Sequence, residues 1–268
     1  MNSRPYTESV ETALGTVYRL DRGYVAVSGA EAGEFLERMV SNEVVSLEPG
    51  ESRPALLLTP KSRIVAPVRV VREGPEAFLL LTEAALAQTV ASTLLRARFA
   101  AKCEIEPKPY RGYLQLGPGD GIRNDDYGVE ASESWGEEER DAASVDELEP
   151  LRIEAGTPVW GRELDETILP AEAGLDETHV SFTKGCYPGQ EPIARLHYRG
   201  RPNRRLRVLE VADASPGDEI LLGEKAVGRV TSAVPGRALA YVRREVADDA
   251  VLQIGGAEAR LHLATPRP

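Results

Sequence analysis

An α+β chain ending in an all-β unit is the fold class that the sequence predicts, and three patterns predict it. The first third alternates short apolar runs, bounded by Gly, Pro and Asp, with two stretches of helical periodicity. An acidic, Gly- and Pro-rich middle follows. The last quarter then reads as six short strands between turns: Arg207-Val211, Glu219-Leu222, Ala226-Thr231, Ala238-Val242, Val251-Ile254 and Ala257-Leu263. Strands at that spacing predict a barrel or a jelly-roll-like sandwich.

At the N-terminus, Thr16 to Leu20 and Tyr24 to Val27 are rich in β-branched and aromatic residues and flank Asp21-Arg22-Gly23, which predicts a hairpin. Ser28-Gly29-Ala30-Glu31 has the form of a capping box. Ala32, Phe35, Leu36, Met39 and Val40 follow it at helical spacing, so a helix should run to Ser41-Asn42. Leu56 to Leu58, Ile64 to Val71 and Phe78 to Leu81 predict a three-stranded antiparallel meander, with a second helix starting at Thr82. Cys103 alternates in phase with Ile105 and reads as a small buried hydrophobe. Leu151 to Gly156 reads as a strand with Arg152 and Glu154 on one face, an ordinary surface pair on residue grounds alone.

The 268 residues suffice for two or three compact units, and 42% hydrophobic with 28% charged residues is an ordinary globular composition. No apolar run approaches the roughly 18 residues that span a bilayer, and the first residues carry no apolar signal core, so the expected compartment is the cytoplasm. Two cysteines, Cys103 and Cys186, are too few for a disulfide framework, and three dispersed histidines predict no metal site. The net charge of −11 is uneven. Gly117 to Pro150 holds twelve acidic and two basic residues and reads as a solubilising loop, whereas Pro192 to Leu209 holds six arginines and no acid. An anionic ligand or partner suits that second stretch.

Immediately before it lies Lys184-Gly185-Cys186-Tyr187-Pro188-Gly189-Gln190-Glu191. A cation beside a thiol favours the thiolate, which is the reactive form. The two glycines open tight turns and close approach to the backbone, and Pro192 suits the first turn of a helix. The duller reading is a Gly-rich connector with an inert cysteine. For the arginines it is a solvated edge, and the near absence of interleaved aromatics disfavours nucleic acid. Phosphate-loop and serine-esterase motifs are missing.

In order and spacing, "VSGAEAGEFLERMVSNEVVSLEPG", "LTPKSRI", "LRIEAGTPVWGREL", "LPAEAGL", "FTKGCYPGQEPIARLHYRG", "GRVTSAV" and "ALAYVRR" resemble the folate-binding YgfZ proteins, relatives of the glycine-cleavage T-protein. The resemblance implies a three-domain T-protein-like α+β fold with two antiparallel α+β units and a C-terminal β-barrel. It places a discontinuous folate-binding unit at 1–50 plus 108–200, a ferredoxin-like unit at 51–107 and the barrel at 201–268. It also implies binding of tetrahydrofolate or a one-carbon derivative, and service to iron-sulphur client enzymes, including radical enzymes that thiolate transfer RNA. By the same resemblance Glu154 holds the pterin, Asn42 faces the folate cavity, and Arg195, Tyr187 and Gln190 assist binding. Cys186 is the reactive centre with Lys184 beside it, and Gly185, Gly189 and Glu191 complete the motif.

T-proteins carry an acidic pair after the G-x-I turn, where this chain reads Ile64-Val65-Ala66-Pro67-Val68. Neither Ala66 nor Pro67 can move a proton, so aminomethyl transfer is disfavoured. Three readings stand: a folate-dependent accessory factor, an aminomethyltransferase with a displaced acid, and a non-enzymatic RNA-binding or folate-sensing module. Whether Cys186 turns over is left open by the residues.

Overall fold

A computed structural model describes residues 14–262. The chain opens with strands β1 (Val17–Leu20) and β2 (Arg22–Ser28), and helix α1 (Ala32–Met39) follows. Strands β3 (Ser52–Leu58), β4 (Ile64–Gly74) and β5 (Ala77–Glu83) form the expected antiparallel meander. After a short 3₁₀ turn come α2 (Ala87–Ala97), β6 (Glu104–Lys108), β7 (Arg111–Leu116), β8 (Ile122–Asn124), β9 (Ala131–Gly136) and β10 (Ala143–Ser144). Helices α3 (Glu149–Glu154) and α4 (Gln190–Arg199) precede the last six strands.

The predicted N-terminal hairpin does not form. β1 pairs with β7 and β10, whereas β2 pairs with β5 and β6, so the two strands belong to different five-stranded sheets, ordered β10-β1-β7-β9-β8 and β3-β4-β5-β2-β6. Only Asp21 separates them, and the commonest tight hairpin needs a two-residue loop. Gly23 is there for packing. A Cβ on it would stand 2.7 Å from Ala87 Cβ at the start of α2.

Period-two burial on β4 (Ala66, Val68, Val70) faces the main core, where Phe35 and Leu36 of α1 and Val90 and Leu94 of α2 cover the second sheet. Cys103 is buried in that core with Ile105 packed beside it, as its alternation predicted. The capping box fails. Ser28 closes β2, Glu31 caps α1 without a side-chain bond, and its carboxylate instead accepts from the Lys102 N–H across the loop at 3.1 Å.

Strands β11 (Arg204–Val211), β12 (Glu219–Leu222), β13 (Lys225–Val234), β14 (Gly236–Arg243), β15 (Val251–Ile254) and β16 (Ala257–Leu261) close into a barrel ordered β11-β14-β13-β12-β15-β16. These are the six strands the sequence predicts; the expected end of the last, Leu263, lies outside the described residues. Two readings are corrected. Leu151 to Glu154 belongs to helix α3, because Pro150 sits in its first turn and the preceding 3₁₀ turn feeds it. The acidic middle is not merely a solubilising loop. It supplies β8 and β9 and buries Glu133 and Asn124 completely.

Candidate functional site

The cysteine motif is a loop clamped at both ends. At its start, the Lys184 ammonium is buried, its side chain only 1% exposed. It donates to the carbonyls of Val40 (3.0 Å) and Asn42 (2.7 Å) and lies 3.3 Å from the Glu37 carboxylate. An ammonium has three donors, and these partners account for all of them. Burial holds the Lys184 ammonium below the usual lysine range, against the opposing pull of Glu37. Lys184 therefore serves as a staple onto the end of α1, and its N–H groups point at these acceptors rather than at the Cys186 thiol. Glu37 completes the anchor by accepting from the Val44 and Val45 N–H groups at 2.7 and 3.1 Å.

At the other end Gly189 adopts φ +82°, and a Cβ there would stand 2.5 Å from the Thr59 carbonyl oxygen. The Ser62 hydroxyl donates to the Gly189 carbonyl at 2.6 Å, and Ser62 itself sits at φ 60°. The sequence marked Pro60-Lys61-Ser62 only as a turn; nothing in it signalled a partner 127 residues away. Gly189 is thus filled by the protein's own backbone. Gly185 differs: nothing lies within 4 Å of the place a Cβ would take. Between the clamps Cys186 is exposed, while Cys103 is buried.

Tyr187 turns inward beside it, 7% exposed, and its hydroxyl has no hydrogen-bond partner among the described residues. Burial pushes that phenol up to about 12, so it stays a donor. Gln190 opens α4 and its N–H bonds the Tyr187 carbonyl at 3.3 Å. Pro192 falls in the first turn of that helix, as its position predicted. Glu191 pairs with Arg195 at 3.1 Å on the exposed face, so neither reaches into the interior. Phe182 stacks on His197 of α4 at 3.8 Å between ring centroids, which ties the loop to its helix.

Asn42 is fully engaged. Its amide donates to the Pro54 and Thr178 carbonyls and its oxygen accepts from the Glu43 N–H. Asn42 and Lys184 do meet, through the Asn42 carbonyl.

Glu154 lies at the end of α3, and both oxygens are taken: one accepts from Arg237 Nε at 2.6 Å, the other meets His262 Nε2 at 3.1 Å. It fastens α3 to the barrel. Arg152, expected beside it on a surface, is instead 4% exposed, because helical spacing turns it inward to Glu149 (2.6 Å) and Glu163 (3.1 Å). Glu163 in turn accepts from the Ser232 hydroxyl of β13 at 2.6 Å.

A second buried network went unread in the sequence. Arg22 joins Glu133 (3.0 Å) to Asp126 (2.9 Å), with Asn124 donating to Glu133 at 2.7 Å. Burial would raise the Asp126 carboxyl, but the Arg22 and Arg69 guanidiniums outweigh it and hold the group below the usual carboxylate range. The Asp126 side chain is 33% accessible. Its Oδ2 takes the Arg22 and Asn124 bonds, and Oδ1 takes none among the described residues. Ala66, by contrast, is buried in the core.

A mixed five-stranded sheet and an antiparallel one, each packed by helical segments, followed by a closed barrel, define a T-protein-like α+β fold. The glycine cleavage system aminomethyltransferase T of Bartonella henselae superposes with a TM-score of 0.82 at 19% identity, over 95% of this chain and 87% of that one. Residues 203–267 match the CAF17 C-terminal beta-barrel domain. The chain is 27% identical to an uncharacterized protein of Haemophilus influenzae, covering 78% of this chain and 81% of that one. It is 24% identical to an aminomethyltransferase of Bacillus cytotoxicus, covering 84% and 76%. By these likenesses the chain is T-protein-like in fold and carries a CAF17-type C-terminal barrel.

Proposed function

We propose that this protein is a reduced-folate-binding accessory factor, acting in the cytoplasm, that maintains iron-sulphur client enzymes through the Cys186 thiol. One observation carries the reading: the loop is anchored by Lys184 and Gly189 while Gly185 and Cys186 between them are exposed. A connector without a function has no need of two buried clamps around an exposed thiol. The curated aminomethyltransferase relatives and the T-protein-like fold support the folate part of the reading.

The residues present suit a pteridine. Asp126 has a carboxylate oxygen without a hydrogen bond among the described residues, and the Tyr187 hydroxyl has none there either; each could meet a polar edge of such a ring. A carboxylate accepts the amino-pyrimidinone edge of such a ring, and a buried donor without a partner is completed by a ligand oxygen or water. Glu154, which the resemblance implies as the pterin acid, already holds Arg237 on one oxygen and His262 on the other, so a ligand there would share it with both. Reduced folate supplies a one-carbon carrier when bound; the chain's own residues orient its polar edge. No titratable group stands on β4 at Ala66 or Pro67, which weighs against aminomethyl transfer.

Titration calorimetry with tetrahydrofolate, run beside rescue of cells lacking their own factor, tests the reading. Cys186→Ser should bind folate as the parent does and fail to rescue. Full rescue by that variant removes the thiol from the function, and absence of folate binding by the parent removes the cofactor.

A further inference from the structure

Beside the cysteine loop, the segment 169–176 and α4 enclose an apolar hollow of about 330 Å³. Its walls are aliphatic, including Leu169, Pro170, Ile193 and Leu196, and Arg195 and Arg199 stand on its rim with one acid, Asp176. The charge around it is unbalanced. Arg199, Arg201 and Arg205 are exposed and make no ion pair among the described residues, in a chain whose net charge is −11. Among the described residues Arg195 makes only the i,i+4 pair with Glu191, whose side chains are 73% and 85% exposed, a solvent-screened arrangement that leaves the guanidinium free to exchange partners.

From these features we infer that α4 and its hollow form a docking surface for an acidic protein segment carrying an apolar anchor residue. The hollow takes the anchor, and the guanidiniums take the flanking carboxylates. The volume sits at the low end of ligand-sized pockets, about 300 Å³, which suits one or two side chains. The hollow's walls are mostly aliphatic and the Ser62 hydroxyl on it is already bonded to Gly189, which favours such an anchor over a nucleobase, whose polar edges would be stranded there and which prefers aromatic platforms. Ser62 lines the hollow and bonds Gly189 of the cysteine loop, so this inference rests on the client-maintenance reading and gives the client's contact its chemistry.

Selection of a random-peptide phage library on the full-length protein, followed by fluorescence anisotropy of the enriched peptides, tests it. The expected result is enrichment of peptides with an apolar residue between acids, and affinity that falls as salt rises. The Arg195→Glu, Arg199→Glu double variant should weaken them roughly tenfold or more, while Arg260→Glu on the barrel should not. Both rim positions are exposed, so folding is retained and melting by circular dichroism checks it; Leu196→Asp adds a test of the hollow. No enrichment, peptides without that pattern, or affinity unchanged in the rim variant overturns the inference. So does a short oligouridylate that binds more tightly and displaces the peptides. Cys186→Ser keeps the peptide affinity, so failure of docking and failure of the thiol reading are read separately.

Discussion

The Lys184 ammonium donates a 2.7 Å hydrogen bond to the carbonyl oxygen of Asn42, 142 residues earlier in the chain. Through that bond the end of α1 and the start of the cysteine loop become one rigid unit. The lysine that seemed placed to activate a neighbouring thiol instead holds the thiol's loop in position.

Lys184→Met should therefore act on position before chemistry. It leaves the Val40 and Asn42 carbonyls and the Glu37 carboxylate without their donor, which should cost about 2 kcal/mol in urea unfolding. Alkylation of Cys186 by iodoacetamide should become faster as the loop loosens. Unchanged stability together with slower alkylation would return Lys184 to the role of thiol activator.

The two motif glycines should separate cleanly. Gly189→Ala forces a Cβ to 2.5 Å from the Thr59 carbonyl oxygen at a left-handed φ, and should destabilise by about 2 kcal/mol or more. Gly185→Ala meets nothing within 4 Å and should stay within about 0.5 kcal/mol. If it fails to rescue cells although its stability is kept, the open space at Gly185 is used by a ligand.

Asp126 predicts the acid limb of stability. Its folded-state pKa is depressed, so the unfolded chain binds the proton more tightly. The contribution is complete above the ordinary carboxyl range near pH 4 and is lost as pH falls through the lower folded value. Asp126→Asn should flatten the decline of the urea midpoint below about pH 5. A decline as steep as the parent's would show that other carboxylates carry it.

Folate binding should discriminate between two acids. Asp126→Asn should weaken tetrahydrofolate binding about tenfold, the scale of one charge-assisted hydrogen bond. Glu154→Gln should mainly loosen α3 from the barrel. A double-mutant cycle between Glu154 and Arg237, whose side chains are 30% and 18% exposed, should return a coupling of about 1 kcal/mol. The reverse pattern, with folate lost in Glu154→Gln alone, would restore Glu154 as the pterin acid.

Local pattern alone determined the β3–β5 meander, the six barrel strands, the buried state of Cys103 and the distinction of the Cys186 motif. Each depends on periodicity, turn residues and neighbouring chemistry, which are written within a few residues of one another. Only the tertiary structure decided that β1 and β2 enter different sheets, that Leu151 to Glu154 is a helix, and that Glu133, in an acidic stretch, is a buried partner of Arg22. It also decided that Lys184 and Gly189 are clamps. For the strands, for Glu133 and for the clamps the outcome depends on which distant group fills a hydrogen-bonding or steric vacancy, and a partner far along the chain leaves no mark on the local pattern. The helix differs, because its start signals at Pro150 and the turn before it are local but were masked by the alternation of Arg152 and Glu154.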